Sequence, residues 1–205
     1  MARVLVLFAH PALEKSRVNR RLLKALPKLP GLTFHDLYEH CPSFHLNVAY
    51  EQELLTNHDT IIMQHPLYWY SVPPLLKQWM DLVLEHGWAY GLRGEALRGK
   101  QVFQIITVGG PASSYMHEGF QKHTLRDFLL PIEQTARLCR MDYLAPYVIY
   151  GTHRLNEDDL VREAVAYRRL LEWVHNNQLP FDGSATQSYA TMNEAMSTLA
   201  PEVLV

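Results

Sequence analysis

Polar side chains that suit an anionic ligand follow the first apolar run of the chain. His10 comes directly after this run, and residues 16–19, Ser-Arg-Val-Asn, stand where a helical pattern starts. The free backbone N–H groups of a helix N-terminus bind phosphate well. The same residues are also typical of a simple N-cap at Ser16 with a solvated Arg17. The sequence has no GxGxxG or GxxxxGK pattern, so the dinucleotide and Walker loops are not indicated.

A second segment combines aromatic rings with prolines. Residues 64–74 have the sequence QHPLYWYSVPP, in which Leu67 precedes Tyr68, Trp69 and Tyr70. Aromatic side chains can enclose a flat ring, and prolines stiffen the loop that carries them. Isoalloxazine is such a ring, although buried aromatics also serve simply to fill a core. The segment therefore leaves a ring pocket and core packing open.

A third segment is rich in glycine. Residues 107–115, TVGGPASSY, contain Gly109 and Gly110, which allow the backbone to approach a ligand closely and to offer its amides to ring heteroatoms. A tight turn is the alternative. Residues 86–91, HGWAYG, form either a further loop of a nicotinamide or quinone pocket or a purely structural loop.

Five apolar runs must position these segments, and their composition is typical of buried parallel strands. They are Val4 to Ala9, Leu32 to Leu37, Thr60 to Gln64, Gln101 to Val108 and Tyr143 to Tyr150. Helical patterns alternate with them: Arg17 to Lys28, Glu51 to Asn57, Pro74 to Glu85, Gly119 to Leu138 and Asn156 to about Asn176.

This alternation predicts an α/β fold with a parallel sheet and helices on both faces. Five strands favour a flavodoxin-like three-layer sandwich with strand order 2-1-3-4-5. In such sheets a ligand lies beyond the carboxyl ends of the strands, where the winding reverses beside the first strand. The three segments follow strands one, three and four, so we expect them to meet in one crevice.

Length and composition narrow the function classes. The 205 residues fit one domain, and the net charge of -2 gives no electrostatic basis for binding nucleic acid or for acting as a strongly charged electron shuttle. Two cysteines are too few for a secreted disulfide scaffold, which favours the cytoplasm. His35, His40 and His45 lack the helical i, i+4 spacing of a metal pair, and no metal site is predicted.

The end of the chain differs in composition from the rest. Residues 1–183 are predicted to form the flavodoxin-like domain, and residues 184–205, rich in Ser, Thr, Ala and Met, a tail. Met192, Ala195, Met196 and Leu199 stand at helical spacing. The tail is therefore either flexible or docked as a short helix on this or a partner subunit.

Several motifs together resemble one family. AHP near the start, SRVN, HDLY at 35–38, QHPLYWYSVPPLLKQWMD, HGWAYG and TVGG are similar to the flavodoxin-like NAD(P)H:quinone oxidoreductases, from about Val4 to about Trp173. Within that family the chain resembles a bacterial branch, the ancillary proteins of the Kef glutathione-gated potassium-efflux systems. Residues 138–141, LCRM, with Pro146 and Tyr150 resemble the KefG type more than the KefF type.

The resemblance implies a cytoplasmic flavoenzyme that binds FMN rather than FAD. NAD(P)H would reduce the flavin and leave, and a quinone or related electrophile would take its place in a ping-pong reaction. The resemblance also implies a homodimer and, for the Kef branch, a regulatory role on a potassium/proton antiporter at the cytoplasmic face of the inner membrane. The phosphate and ribityl chain would be held by His10, Ser16, Arg17, Val18 and Asn19, and the ring by Leu67, Tyr68, Trp69, Tyr70, Thr107, Val108, Gly109 and Gly110.

Catalytic residues follow from the same resemblance. The wider family places a tyrosine and then a histidine after the glycine pair, and Tyr115 matches the tyrosine by spacing. The histidine position falls on Gln121, with His117 and His123 out of register. We take Tyr115 and His117 as candidate catalytic residues, with Tyr115 also near the flavin.

The main hypothesis is a quinone oxidoreductase, and the alternative is an antiporter subunit with secondary redox activity. A one-electron flavodoxin is a third possibility.

Overall fold

Six β-strands form one parallel sheet within the part of the chain that the computed structural model describes, residues 1–179 and 190–199. The strands are β1 Val4–Phe8, β2 Leu32–Asp36, β3 Thr60–Pro66, β4 Gln101–Thr107, β5 Asp142–Tyr143 and β6 Tyr147–Ile149. Their order is β2-β1-β3-β4, and β5 and β6 both pair with the outer edge of β4. The predicted flavodoxin-like order is confirmed.

Seven α-helices flank the sheet in the same described residues. They are α1 Arg17–Lys24, α2 Leu37–His40, α3 Val48–Asn57, α4 Pro74–Val83, α5 Leu125–Leu138, α6 Glu157–His175 and α7 Met192–Leu199. Helices α1, α6 and α7 contribute to the core on one face, and α2 to α5 to the core on the other. The predicted three-layer sandwich is therefore confirmed.

The two cores follow from the alternation of side chains along buried strands. In β1, Val4 and Val6 face the core that contains Tyr167 of α6, whereas Leu5 and Leu7 face the core that contains Trp79 of α4. Because both faces are covered, all five residues of β1 are buried. A parallel strand covered on both sides reads as a continuous apolar run, which is why the sequence predicts it so clearly.

The register brings three strand ends to one edge of the sheet. Phe8 of β1 is aligned with Gln64 of β3, and Pro66 of β3 is aligned with Thr107 of β4. The winding reverses between β1 and β3, since β2 lies on one side of this pair and β4 on the other. The segments that follow β1, β3 and β4 thus leave the sheet side by side at the reversal point.

The fifth predicted strand is interrupted. The sequence predicts one strand over Tyr143 to Tyr150, but β5 and β6 are separated by three residues that end at Pro146. A proline has no N–H to donate to β4, so it breaks the ladder at its own position. The Pro146 carbonyl instead accepts a hydrogen bond of 2.8 Å from the backbone N–H of Met192.

Helix α5 begins later than predicted, at Leu125 rather than Gly119. Thr124 accepts a hydrogen bond from the Asp127 N–H, and the Asp127 carboxylate accepts one from the Thr124 N–H, which completes a capping box. Lys122 has a φ of 59°, outside the helical range. Local capping therefore starts this helix, although the apolar pattern extends further toward the N-terminus.

Part of the tail forms α7, which packs against the sheet. Met192, Ala195 and Met196 are buried in the core beside α6. The Asn193 side chain also accepts a hydrogen bond from the Val148 N–H at 2.8 Å and donates one to the Val148 carbonyl at 3.1 Å. Helix α7 thus covers the free edge of β6. The predicted boundary at 183 and 184 lies outside the described residues.

Candidate functional site

A cavity of about 450 Å³ opens at the carboxyl ends of the strands. This volume is within the usual range for sites that bind cofactors and drug-sized molecules. The predicted residues that line it are His10, Ser16, Arg17, Val18, Leu67, Tyr68, Thr107 and Gly109, and the residues that were not predicted are Ala12, Lys15, Pro66, Thr152 and His153. Segments that are far apart in sequence meet there, as the fold requires.

One end of the cavity is formed by the N-terminus of α1. Ser16 caps this helix, because its Oγ accepts a hydrogen bond of 3.2 Å from the Asn19 N–H. The N–H groups of Arg17 and Val18 make no hydrogen bond within the described part of the chain. These two free donors and the positive end of the helix dipole suit the binding of an anion.

Two basic side chains flank this end differently. The Arg17 guanidinium donates to the Leu155 carbonyl at 3.3 Å and to the Glu157 carboxylate at 2.9 Å. Both partners of the ion pair are exposed, so the pair is weak and the guanidinium can change partners readily. Lys15 lines the cavity as well. This end of the cavity is thus cationic even while Arg17 is paired with α6.

Asn19 is buried beneath the cavity rather than in its lining. Its Nδ2 donates to Thr107 Oγ1 at 3.1 Å, and its Oδ1 accepts from Gln64 Nε2 at 3.4 Å. Gln64 Oε1 in turn accepts a bond of 2.9 Å from the Tyr167 hydroxyl. This chain of buried hydrogen bonds links α1, the ends of β3 and β4, and α6, and it fixes the strand ends relative to the helix N-terminus.

The aromatic segment forms a tight turn at the other end of the cavity. Tyr68 and Ser71 exchange backbone hydrogen bonds of 3.1 and 3.0 Å, and the central residues Trp69 and Tyr70 have φ values of 50° and 64°. Positive φ at both central positions is the geometry of a type I′ turn, and it is unfavourable for bulky residues. The strained turn leaves Trp69 92% exposed, while Tyr68 lines the cavity beside His10.

The glycine segment is tied to the loop after β6. Gly151 donates to the Gly110 carbonyl at 2.9 Å, and Thr152 donates to the Val108 carbonyl at 3.1 Å. A Cβ on Gly109 would lie 3.1 to 3.2 Å from the His153 ring, so the absence of a side chain lets this imidazole reach the cavity. Val108 itself points into a small apolar cluster and does not line the cavity.

Behind the aromatic turn lies a buried imidazole. His65 Nδ1 donates to the Pro66 carbonyl at 2.9 Å, which assigns the proton to Nδ1, and Nε2 accepts from Gln104 Nε2 at 3.0 Å. Gln104 Oε1 accepts from the Tyr143 hydroxyl at 2.7 Å. Burial lowers the pKa of His65 to about 4. The side chain therefore stays neutral at pH 7 and supports the turn as a fixed hydrogen-bonding group.

The candidate catalytic residues lie outside the cavity lining. The Tyr115 ring contacts Tyr150 and Phe128, and burial raises the pKa of its hydroxyl. A Cβ on Gly110 would lie 3.2 Å from the Tyr115 ring, so this side chain stands directly beside the glycine pair. His117 lies in an exposed loop, and the histidines that line the cavity are His10 and His153. The role of His117 stays a prediction.

Sequence analysis missed the residues of the loop after the last strand. Thr152 and His153 follow β6 and line the cavity. The signal was available, since the rule that ligands lie beyond the carboxyl ends of the strands applies to this strand as well. Lys15 lies in the same loop, in a short 3₁₀ helix, Leu13–Lys15, but was not among the predicted site residues because it precedes the SRVN motif from which they were taken.

Comparisons with known proteins agree with this geometry. The sequence pattern of a family described as having a flavodoxin-like fold matches residues 2–171. The chain is 45% identical over 170 residues to the glutathione-regulated potassium-efflux system ancillary protein KefG of Cronobacter sakazakii, which covers 83% of this chain and 92% of that protein.

Two solved structures are similar over most of their length. The general stress protein 14 of Treponema denticola, in complex with FMN, is 36% identical with a TM-score of 0.79, covering 83% of this chain and 98% of that one. An NADPH-quinone reductase from P. pentosaceus is 33% identical with a TM-score of 0.74, covering 82% and 96%. The chain therefore belongs to the flavodoxin-like family. Among the described residues, no helix is both long and apolar enough to cross a bilayer.

Proposed function

We propose that this protein is an FMN-dependent NAD(P)H:quinone oxidoreductase. The observation that carries the proposal is the cavity between the N-terminus of α1 and the aromatic and glycine segments, in a chain 33% identical to an NADPH-quinone reductase. A protein 36% identical to it was solved in complex with FMN. A quinone or a related electrophile would be the electron acceptor.

The donor set of the cavity fits FMN. One end offers the unpaired N–H groups of Arg17 and Val18 with Lys15 nearby, which suits a phosphate dianion. The other end offers Leu67, Tyr68 and the backbone at Gly109, which suits a flat heteroaromatic ring. One phosphate end and one ring end match a mononucleotide better than the larger FAD.

The residues of the chain divide into binding and positioning groups. We propose that His10, Ser16, Arg17 and Val18 hold the phosphate and the ribityl chain, while Asn19 positions Ser16 and Thr107 from below. The ring would be held by Leu67, Tyr68, Trp69, Tyr70, Thr107, Gly109 and Gly110. Val108, which packs in the apolar cluster, would position this segment and not contact the ring. Bound FMN would supply the two-electron hydride chemistry, and the protein binds and orients it.

We propose that Tyr115, whose ring lies beside Gly110, interacts with the acceptor. Its hydroxyl remains protonated at pH 7, because burial raises its pKa further above its ordinary value. A neutral hydroxyl can donate a hydrogen bond to a quinone oxygen as negative charge develops there. The exposed Trp69, in the same turn as Tyr70, can cover a flat substrate and exclude water. His117 would be the proton donor only if its loop moves toward the cavity.

A pair of capping variants tests the cofactor assignment. Ser16 and Thr124 are both hydroxyl N-caps, at α1 beside the cavity and at α5 outside its lining. Removal of either hydroxyl costs about 1 kcal/mol of folding stability. We expect Ser16→Ala to weaken FMN binding by roughly tenfold, about 1.4 kcal/mol, in a fluorescence titration, and Thr124→Ala to leave it unchanged. Wild-type protein should bind one FMN and oxidise NAD(P)H faster when a quinone is added.

Absence of FMN binding by wild-type protein would overturn the proposal. Equal affinities of wild type and Ser16→Ala would remove Ser16 from the phosphate site.

The similarity to KefG supports a second candidate function. We propose as the alternative that the protein is an ancillary subunit of a glutathione-gated potassium/proton antiporter, with redox activity secondary. Potassium efflux would be measured in cells that carry the antiporter, with and without this protein. Faster efflux with the protein is expected, and equal rates would contradict the alternative. A variant that lacks FMN binding but still activates efflux would separate the two functions.

A further inference from the structure

A groove of about 260 Å³ runs between α1 and α6 on the outer side of the sandwich. We call it the basic groove, and its lining consists of Arg21, Lys24, Ala25, Val161, Ala164, Val165 and Arg168. None of these residues lines the cofactor cavity. The groove is therefore a separate surface from the proposed catalytic site.

The lining residues form one stripe on each helix, with Arg21 and Lys24 on α1 and four residues on α6. Val161, Ala164, Val165 and Arg168 stand at i, i+3, i+4 and i+7 along α6, so they share one face of that helix. Val161 and Val165 are each 43% exposed. The short side chain of Ala164 leaves room between the helices, while the valines present apolar surface to solvent. An outward apolar stripe of this kind has no role within the described fold.

The charge of the groove is of one sign. Among the described residues, no carboxylate lines it, and Arg21 and Lys24 form no ion pair there. Arg168 pairs with Glu172 at 2.9 Å, but both side chains are partly exposed and the pair is weak. The whole chain has a net charge of -2, so these cations are a local concentration and not a reflection of overall composition.

We propose that the basic groove docks an acidic amphipathic helix of a partner protein. Apolar side chains of that helix, at i and i+3 or i+4, would pack on Val161 and Val165, and its carboxylates would pair with Arg21, Lys24 and Arg168. A concave surface with apolar groups between longer cationic side chains suits a helix better than a bilayer, into which apolar groups must protrude. A second copy of this chain would bring the same cations together, which charge repulsion opposes.

A labelled synthetic peptide provides the probe. It has about 20 residues, enough for a helix, with leucines at i and i+4 flanked by glutamates, and a scrambled peptide of the same composition is its control. In fluorescence anisotropy we expect the amphipathic peptide to bind at least roughly tenfold more tightly than the scrambled one. Added salt should weaken the binding.

Three variants localise the site. Val161→Ser with Val165→Ser, and separately Arg21→Glu with Lys24→Glu, should each weaken binding at least roughly tenfold. The matched control is Lys77→Glu with Leu82→Ser, an exposed cation and an exposed leucine on α4, which should leave binding unchanged. Circular dichroism melting checks that every variant folds.

The proposal would be overturned if the two peptides bound equally well, or if the groove variants bound the amphipathic peptide as tightly as wild type. It would also be overturned if wild type bound phosphatidylglycerol vesicles and the groove variants did not, because the groove would then bind a membrane. Dissociation of a wild-type dimer by the same variants would overturn it as well, because the groove would then be a dimer interface. Wild type and the groove variants should bind FMN with equal affinity, whatever the peptide experiment shows. A failure of the peptide to bind would therefore not count against the proposed oxidoreductase function.

Discussion

Asn19 shows how a residue can matter to a site without lining it. The resemblance implies that it contacts the cofactor, but the structure buries it below the cavity, between Thr107 and Gln64. Sequence analysis could identify the polar segment, because its residue types suit a phosphate. It could not separate binding from positioning, since that depends on which way each side chain points from the first turn of α1.

Replacement of Asn19 by alanine should affect both folding and cofactor binding. Gln64 and Thr107 would each lose a buried partner, which costs about 1–3 kcal/mol of unfolding free energy. FMN affinity should fall because Ser16 and the end of β4 are no longer held together. Urea denaturation and FMN titration measure the two effects. The matched control is Asn47→Ala, since Asn47 caps α3 and its loss should lower stability only. Unchanged FMN affinity in Asn19→Ala would contradict the positioning role.

His65 should make stability depend on pH. Burial lowers its pKa to about 4 in the folded protein, below the unfolded value of about 6.5. As pH falls from 6.5 to 4, the unfolded chain binds a proton that the folded protein does not, so stability is lost in this window. Between pH 7 and pH 5 we expect this histidine to account for a loss of about 2 kcal/mol.

A comparison of wild type with His65→Gln isolates this contribution. Urea unfolding at both pH values gives the change in free energy for each protein, and other titrating groups cancel in the difference. The variant should lose about 2 kcal/mol less than wild type between pH 7 and pH 5. Identical pH dependence in the two proteins would show that His65 is not held neutral in the folded state.

At the scale of the elements, apolar periodicity predicts the buried strands and does not predict where a single residue interrupts a strand or delays the start of a helix. The ends of β1 and β4 lie within one residue of their predicted positions, because strands buried on both faces have sharp compositional limits. The ends of the edge strand β2, which is partly half-buried, agree equally well. Pro146 divides the last strand, and the capping box at Thr124 delays α5. Both differences from the predicted elements depend on the hydrogen bonding of single residues. A pattern of hydrophobicity averaged over several residues carries no information about these bonds.

Helix α7 contributes to the sheet through one side chain. Asn193 satisfies both the N–H and the carbonyl of Val148, which would otherwise lie unpaired on the free edge of β6. Asn193→Ala should therefore lower the unfolding free energy by about 1–3 kcal/mol. Ser197→Ala is the control on the same helix, because the Ser197 hydroxyl bonds only within α7. Equal stabilities of the two variants would mean that α7 leaves this edge open in solution.

At the scale of the whole molecule, two large aromatic side chains are exposed in segments that follow neighbouring strands. Trp69 is 92% exposed and Phe120 is 85% exposed, in the segments that follow the neighbouring strands β3 and β4. The strand order confirms the prediction that the aromatic and glycine segments are neighbours, but the sequence did not predict that Trp69 points outward. That depends on the positive φ of Trp69 and Tyr70, which bulky residues seldom adopt.

An exposed tryptophan on a strained turn is explained if a second subunit covers it, so we predict a homodimer through this surface. Trp69→Ser should then weaken dimerisation by at least about 2 kcal/mol, roughly thirtyfold, as expected for an aromatic residue at the centre of an interface. Sedimentation equilibrium measures the dissociation constant. Leu82→Ser, which removes an exposed leucine on α4, should leave it unchanged. A wild-type monomer at high concentration would contradict the dimer and leave the nicotinamide or quinone ring as the group that Trp69 covers.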